Sequence, residues 1–190
     1  VKVIASDISI DLSEEIHKLH LKSLPNDVMP NFGDDLEYRY LQNILSKKGR
    51  LIVGIDRNEK IVGFLILRIL PMSMLSILNF KSVLTFLFNS IKKPLLVIRL
   101  IGQLSKSKRP PKFSAEIDYF VLDETVRGVG IGGRLISKAS EVAAHEGMKF
   151  LYTKTSNERL FQFYRNKKNA DLHHEFIIIG EKYRCVFWDI

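Results

Sequence analysis

The stretch from Phe113 to Glu146, FSAEIDYFVLDETVRGVGIGGRLISKASEVAAHE, limits what this chain can fold into more than any other. Ile117 to Leu122 is apolar, aromatic and β-branched, the composition of a strand. Arg127-Gly128-Val129-Gly130-Ile131-Gly132-Gly133 is a glycine-dense turn. Leu135, Ile136, Ala139, Val142 and Ala143 then recur at helical spacing, and Gly147 suits the helix's C-terminal end. A strand that runs through glycines into a helix aims free backbone N–H groups at one point, where the helix dipole adds partial positive charge. That arrangement binds phosphate or pyrophosphate, and a Cβ in the turn would hold the backbone away from the oxygens.

The spacing narrows the ligand. Gly128-x-Gly130 with Gly133 fits G-x-G-x-x-G, but a dinucleotide site also needs an acid about twenty residues on. Tyr152-Thr153-Lys154 stands there instead. No Gly-Lys-Ser/Thr closes the turn, so it is not a nucleoside triphosphate loop. What remains is an arginine-led pattern, Arg127-x-x-Gly130-x-Gly132, just after a short acidic turn.

That pattern resembles the R/Q-x-x-G-x-G/A signature of the GNAT superfamily of N-acetyltransferases, whose loop cradles the pyrophosphate of acetyl-CoA. The resemblance implies acetyl-CoA as acyl donor, held by Arg127, Gly128, Val129, Gly130, Ile131, Gly132 and Gly133. It continues downstream. Met148 to Thr155 reads as the next strand, Ser156-Asn157 opens a helix, and Phe163-Tyr164 follows. By resemblance, Asn157 contacts the cofactor and Tyr164 protonates the departing CoA thiolate. A backbone N–H near Val121 or Leu122 would support the thioester oxygen as it gains charge. Where the family usually has Gly-Phe after this helix, the chain has Asn169-Ala170. The likeness spans roughly residues 113 to 170. It implies an α/β (α+β) mixed sheet of GNAT-like acyltransferase type.

Acetylating an amine requires the amine to be neutral. With a pKa of about 10.4, roughly one amine in 2,500 is neutral at pH 7, a cost of about 4.6 kcal/mol that a positioned base offsets. Glu116 and Asp118 alternate onto one face of the cofactor strand and are the two candidates. Asp118 lies deeper in the apolar run and is the stronger candidate for a perturbed pKa.

The net charge of +8 is unevenly placed: the segment Pro71 to Phe113 has eight basic residues and no Asp or Glu, so it carries all of it. The 190 residues read as one domain, 1–190, with 71–113 as a helical insertion between the third and fourth strands. Met74, Leu75, Ile77, Leu78, Phe80, Val83, Leu84, Phe86, Leu87, Phe88 and Ile91 make a wide apolar face of one helix; Pro94 starts a second at Leu95 to Ile101. Ser105 to Lys112 reads as a basic loop. Lys81 and Arg99 interleave the apolar faces, which favours packing and an anionic substrate over a membrane surface. A homodimer through the insertion is the other partner the segment allows. Aliphatic rather than aromatic content argues against nucleic acid.

The remaining elements follow from periodicity. Residues 1–10 read as a strand. A helix with Leu12, Ile16, Leu19 and Ser23 on one stripe ends at Pro25. Its His17 and His20 lack an evident third ligand, so no metal is expected and they read as solvated or core-edge residues. After a stiff loop from Pro25 to Gly33, a helix from Asp34 buries Leu36, Tyr40, Ile44 and Leu45. Strands Leu51 to Ile55 and Lys60 to Leu70 flank a turn at Asp56 to Glu59, and Leu172 to Ile179 pairs with Tyr183 to Ile190 as a closing hairpin. His173 and His174 read as ordinary strand residues, and the lone Cys185 as a core residue. The apolar run at Val1 to Ala5 is short for a secretory leader, which makes the cytoplasm the expected compartment. The expected activity is transfer of an acetyl group to a primary amine of a small molecule, an amino sugar or its nucleotide-linked form. A protein amine acetyltransferase and a non-catalytic acyl-CoA-binding module are the alternatives.

Overall fold

An apolar run such as Ile61-Val-Gly-Phe-Leu-Ile-Leu-Arg68 has no solvent side and needs cover on both faces. In the computed structural model, which describes residues 1–6, 10–25, 27, 37–40, 50–56, 58–69, 91, 94–106 and 108–190, that run is β3 (Ile61–Arg68), buried at every position but its last. With β1 (Lys2–Ser6), β2 (Arg50–Ile55), β4 (Ser114–Leu122), β5 (Phe150–Thr155), β6 (Asp171–Ile178) and β7 (Glu181–Asp189), it makes one mixed sheet. The strand order is β1-β2-β3-β4-β5-β7-β6. Only β4 and β5 pair in parallel.

Helices cover both faces. On one side α1 (Ile10–Ser23) buries Ile16, Leu19 and His20, with the His20 ring against Phe64 and Tyr119. On the other, α3 (Ile131–His145) and α4 (Glu158–Lys168) pack Leu135, Ile136, Ala139 and Tyr164 on Leu65, Ile117, Leu151 and Trp188. Between β3 and β4 in sequence, α2 (Pro94–Lys106) lies against β6. Among the described residues no helix is long and apolar enough to cross a membrane.

Local chemistry explains the turns. The Asp56 carboxylate accepts the N–H groups of Asn58 and Lys60 and closes the β2–β3 hairpin where the turn was expected. Asn169 caps α4 in the left-handed region (φ 50°), so an asparagine takes the position that glycine usually fills and Ala170 can turn into the core.

Some expected boundaries move. The first strand stops at Ser6 and α1 begins at Ile10, so 1–10 is not one strand. The helix from Pro94 runs through Lys106, shortening the expected basic loop. Of the helix expected from Asp34, residues 37–40 are helical; Leu36, Ile44 and Leu45 lie outside the described residues, as does the first insertion helix up to residue 90.

Candidate active site

The parallel pair β4–β5 holds together only from Ser114↔Phe150 to Ile117↔Thr153. Beyond that the strands part, although β4 runs on to Leu122 and β5 to Thr155. Peptide groups of Asp118 to Leu122 that face β5 are left without a ladder partner. Val121 and Leu122, the expected oxyanion donors, lie in this parted half. A β-bulge sits at the same place: the β3 register steps from Leu67↔Ile117 to Ile66↔Tyr119, leaving Asp118 as the extra residue. The bulge explains why Ile117, Phe120 and Leu122 all reach the α3 side of the sheet, which strict alternation forbids.

The glycine turn closes the mouth of this wedge. Asp123 starts it, with its carboxylate accepting from Thr125 N–H and Oγ1 and paired with Lys22 (2.8 Å), contacts that hold it well below the usual carboxylate range. Gly128 and Gly130 have φ of 81° and 85°, the left-handed region that a Cβ disfavours. Gly132 has a different reason: a Cβ there would come within 3.0 Å of Phe120 and 3.1 Å of Leu122, so its absence lets α3 close on β4. Gly133 faces open space. The N–H groups of Ile131, Gly132 and Gly133 precede the first intrahelical bond, which Arg134 donates to Gly130, and point out of the helix end. Arg127 is exposed beside them, reaching Glu124 and the Leu122 carbonyl. Asn157 stands at the other lip, where its Oδ1 caps α4 by accepting from Leu160 N–H.

On the α1 side, Glu116 and Asp118 do share a face. Arg68 at the end of β3 bridges both carboxylates, reaching Asp118 at 2.8 Å. Glu116 also meets Lys154 (2.7 Å). Asp118 accepts from the Tyr40 hydroxyl (2.8 Å) and its side chain is 9% exposed. Burial raises its pKa to about 6 against the opposing pull of Arg68, and Glu116 adds to the rise. Arg68, Lys154 and Tyr40 were not singled out from the sequence. Arg68 left a signal, a lone cation inside the apolar run Ile61 to Leu70. Tyr40 left none, since it is joined to Asp118 only by the fold.

On the opposite face, Tyr164 is fully buried and stacked on Trp188, ring centroids 5.0 Å apart. Burial pushes its phenol above the usual value of 10, with the Thr153 hydroxyl opposing, so it stays protonated. Thr153 itself donates to the Ile117 carbonyl (3.0 Å), at the last rung before β4 and β5 separate. The Thr153 hydroxyl beside it already gives its proton to Ile117, and among the described residues the Tyr164 hydroxyl meets no partner at full hydrogen-bond geometry. A buried donor so poorly served, at the vertex of a gap, fits an acceptor atom that arrives with a ligand. Acid and carboxylates therefore lie on opposite faces of the sheet, connected through the gap between the strands.

Of the two readings of the α1 histidines, solvated or core-edge, His20 departs from the solvated one. His20 is fully buried, with Nδ1 on Glu37 and Nε2 3.2 Å from Asp27, and His17 meets the other Glu37 oxygen. No group of side chains suited to a metal occurs among the described residues. Burial disfavours charge on His20, but Asp27 and Glu37 outweigh it and raise the pKa to about 9. This cluster ties α1 to residues 37–40 and so sets Tyr40 over Asp118. A folded pKa above the unfolded 6.5 stabilises fully below pH 6.5, and the contribution is lost as pH rises through about 9. Urea titrations between pH 6.5 and 9.5 should show a loss on the order of 3 kcal/mol, absent in His20→Gln. A wild-type midpoint that does not move over this range would show the cluster uncharged.

The sequence profile of the acetyltransferase (GNAT) family matches residues 14–167. No curated protein gives a significant sequence match. Among solved structures, the chain is similar to an aminoglycoside 6'-acetyltransferase type Ii (TM-score 0.64, 11% identity, covering 100% of this chain and 97% of that one). It is also similar to a GNAT family acetyltransferase from Staphylococcus aureus Mu50 (TM-score 0.60, 14% identity, 99% of each chain). A third is a GNAT family acetyltransferase from Elizabethkingia anophelis with acetyl-CoA bound (TM-score 0.51, 14% identity, 100% of this chain and 97% of that one). At such identities the structures speak for the fold, the mixed sheet with helices on both faces, while the profile spans most of the chain. The parted strands, the arginine-glycine turn and the profile agree, and the chain belongs to the GNAT family of acetyltransferases.

Proposed function

We propose that the chain transfers an acetyl group from acetyl-CoA to a primary amine of a small molecule, an amino sugar or its nucleotide-linked form. The observation that carries this reading is a pair of groups on the two faces of the sheet where β4 and β5 part, Asp118 with its pKa raised by burial on one and the buried Tyr164 hydroxyl on the other. The pyrophosphate takes the N–H groups after Gly130, and the thioester lies between the parted strands. Asp118 accepts the ammonium proton. The amine nitrogen attacks the thioester carbon, and a β4 peptide N–H bonds the carbonyl oxygen as it becomes negative. When the C–S bond breaks, Tyr164 gives its proton to the sulfur; the extra proton on the attacking nitrogen leaves to solvent as the amide forms, and solvent reprotonates Tyr164. A binding module without catalysis would not need either group.

Glu116 is the less suited base, because Arg68 and Lys154 both hold its carboxylate. Tyr40 and Arg68 both contact Asp118, and an acceptor that presents a single small amine suits a carboxylate so enclosed. The test is release of CoA thiol with a panel of amino sugars, nucleotide-linked amino sugars, polyamines and peptides. Turnover confined to peptides would replace this reading with protein acetylation, and no turnover with any amine would leave a binding module.

A base that works ionised gives a kcat/KM that falls as pH drops through about 6, the pKa of Asp118. Asp118→Asn is expected to remove that acidic limb and to lower kcat/KM on the order of tenfold, since Glu116 on the same guanidinium can take over part of the work. An unchanged limb in the variant would move the base elsewhere.

A further inference from the structure

The helix α2 is oriented in a way its sequence does not show. Its interleaved cation Arg99 turns toward the protein and pairs with Glu181 at 2.7 Å. Lys106 donates to the Ile177 carbonyl at 2.7 Å, and Gly102 lies against Ile178, where a Cβ would come within 2.9 Å. Arg99 and Lys106 are thus used on the sheet edge, while Leu95, Ile98 and Ile101 are left outside, 61%, 52% and 59% exposed, with Ile179 at 44% beside them in the β6–β7 turn. Ile98, Ile101, Gly102, Lys106, Ile178 and Ile179 line a shallow depression between helix and hairpin.

The turn adds a second observation. Ile179 and Gly180 have φ of 49° and 75°, the conformation of a two-residue hairpin turn that favours Asn-Gly. A β-branched residue in that position costs stability, yet here it places an aliphatic side chain at the hairpin tip. Along the same edge strand runs the chain that leaves α2. Lys108 N–H bonds His174, and the Arg109 carbonyl lies 3.1 Å from His173 Nε2, while the side chains of Lys108, Arg109 and Lys112 are exposed.

We infer that this edge, formed by α2, the β6–β7 turn and residues 108–112, seats the enzyme on an anionic lipid surface. Exposed aliphatics flanked by cations are the composition of an interfacial helix; Arg99 is withdrawn to Glu181, and Lys106 borders the aliphatic patch, held by the Ile177 carbonyl. Charge selects among occupants. The cations placed on this edge, Lys106, Lys108, Arg109 and Lys112, belong to a segment, 71–113, with no acid, so two copies meeting through them would repel, whereas an anionic bilayer attracts them. The inference does not rest on the acceptor or on catalysis.

The test is sedimentation of the purified chain with vesicles of phosphatidylcholine alone and of phosphatidylcholine with an equal part of phosphatidylglycerol. Binding is expected only with phosphatidylglycerol, falling about tenfold or more as salt is raised. Ile98→Asp should weaken it about 100-fold with acetyl-CoA affinity unchanged. Ile179→Asn guards against misfolding: it suits the turn, so the melting temperature should rise while vesicle binding weakens. Equal sedimentation with both vesicle types would overturn the inference. So would absence of sedimentation, including the case of a dimer that Ile98→Asp dissociates, which would assign the patch to a second copy.

Discussion

Tyr164→Phe is expected to lower kcat by about 10²–10⁴-fold at saturating substrates while acetyl-CoA affinity stays nearly unchanged, and to leave the protein more stable than before. The two effects have one cause. The hydroxyl is fully buried and meets no partner at full hydrogen-bond geometry among the described residues, and an unsatisfied buried polar group costs about 1–3 kcal/mol. Phenylalanine keeps the stack on Trp188 and removes that cost. A gain of about 1 kcal/mol corresponds to a rise of about 2–4 °C in melting temperature for a chain of this size. In the proposed mechanism the hydroxyl is kept at the expense of stability because a thiolate leaving into this buried gap would need a proton there. Steady-state kinetics and calorimetry on the same preparation check both arms. An unchanged kcat would mean that solvent protonates the sulfur, and a lower melting temperature would mean that the hydroxyl is satisfied in the resting protein.

Gly133→Glu separates ligand binding from folding in the same way. Gly133 is the third residue of α3 and a Cβ there meets nothing within 4 Å. Replacing a helical glycine contributes about 1 kcal/mol, and an acid in the first turn adds about 0.3–1 kcal/mol through the helix dipole. The variant should therefore melt about 3–6 °C higher. Its carboxylate would occupy the positive helix end that the pyrophosphate needs, so acetyl-CoA binding should weaken about 100-fold or more. Titration calorimetry that finds wild-type affinity in this stabilised variant would place the cofactor elsewhere. Gly130→Asp tests the same loop less cleanly, because a φ of 85° adds strain to the effect of charge.

The cofactor half of the site was legible because it is local. Arg127 to Gly133 lies within one turn, and the unpaired N–H groups follow from a glycine run that enters a helix, whatever the rest of the chain does. The same holds for the second helix start at Pro94 and for the turn at Asp56 to Glu59. His20 shows the opposite case: it reads as a solvated or core-edge residue until Asp27 and Glu37, from beyond the end of its own helix, enclose it.

By itself, then, the sequence determined the family, the mixed sheet and the glycine turn that enters α3, because backbone geometry and glycine sterics act over a few residues. The tertiary structure decided which carboxylate holds its proton more tightly, since the burial of Asp118 depends on Arg68 and Tyr40, 50 and 78 residues away. It also decided that Asp118 and Tyr164 lie on opposite faces of the sheet where β4 parts from β5, because that parting is a property of the paired strands and of the bulge at Asp118. And it turned Arg99 inward: helical spacing sets which residues share a face, but only the edge strand that the helix packs on determines which face is left outside.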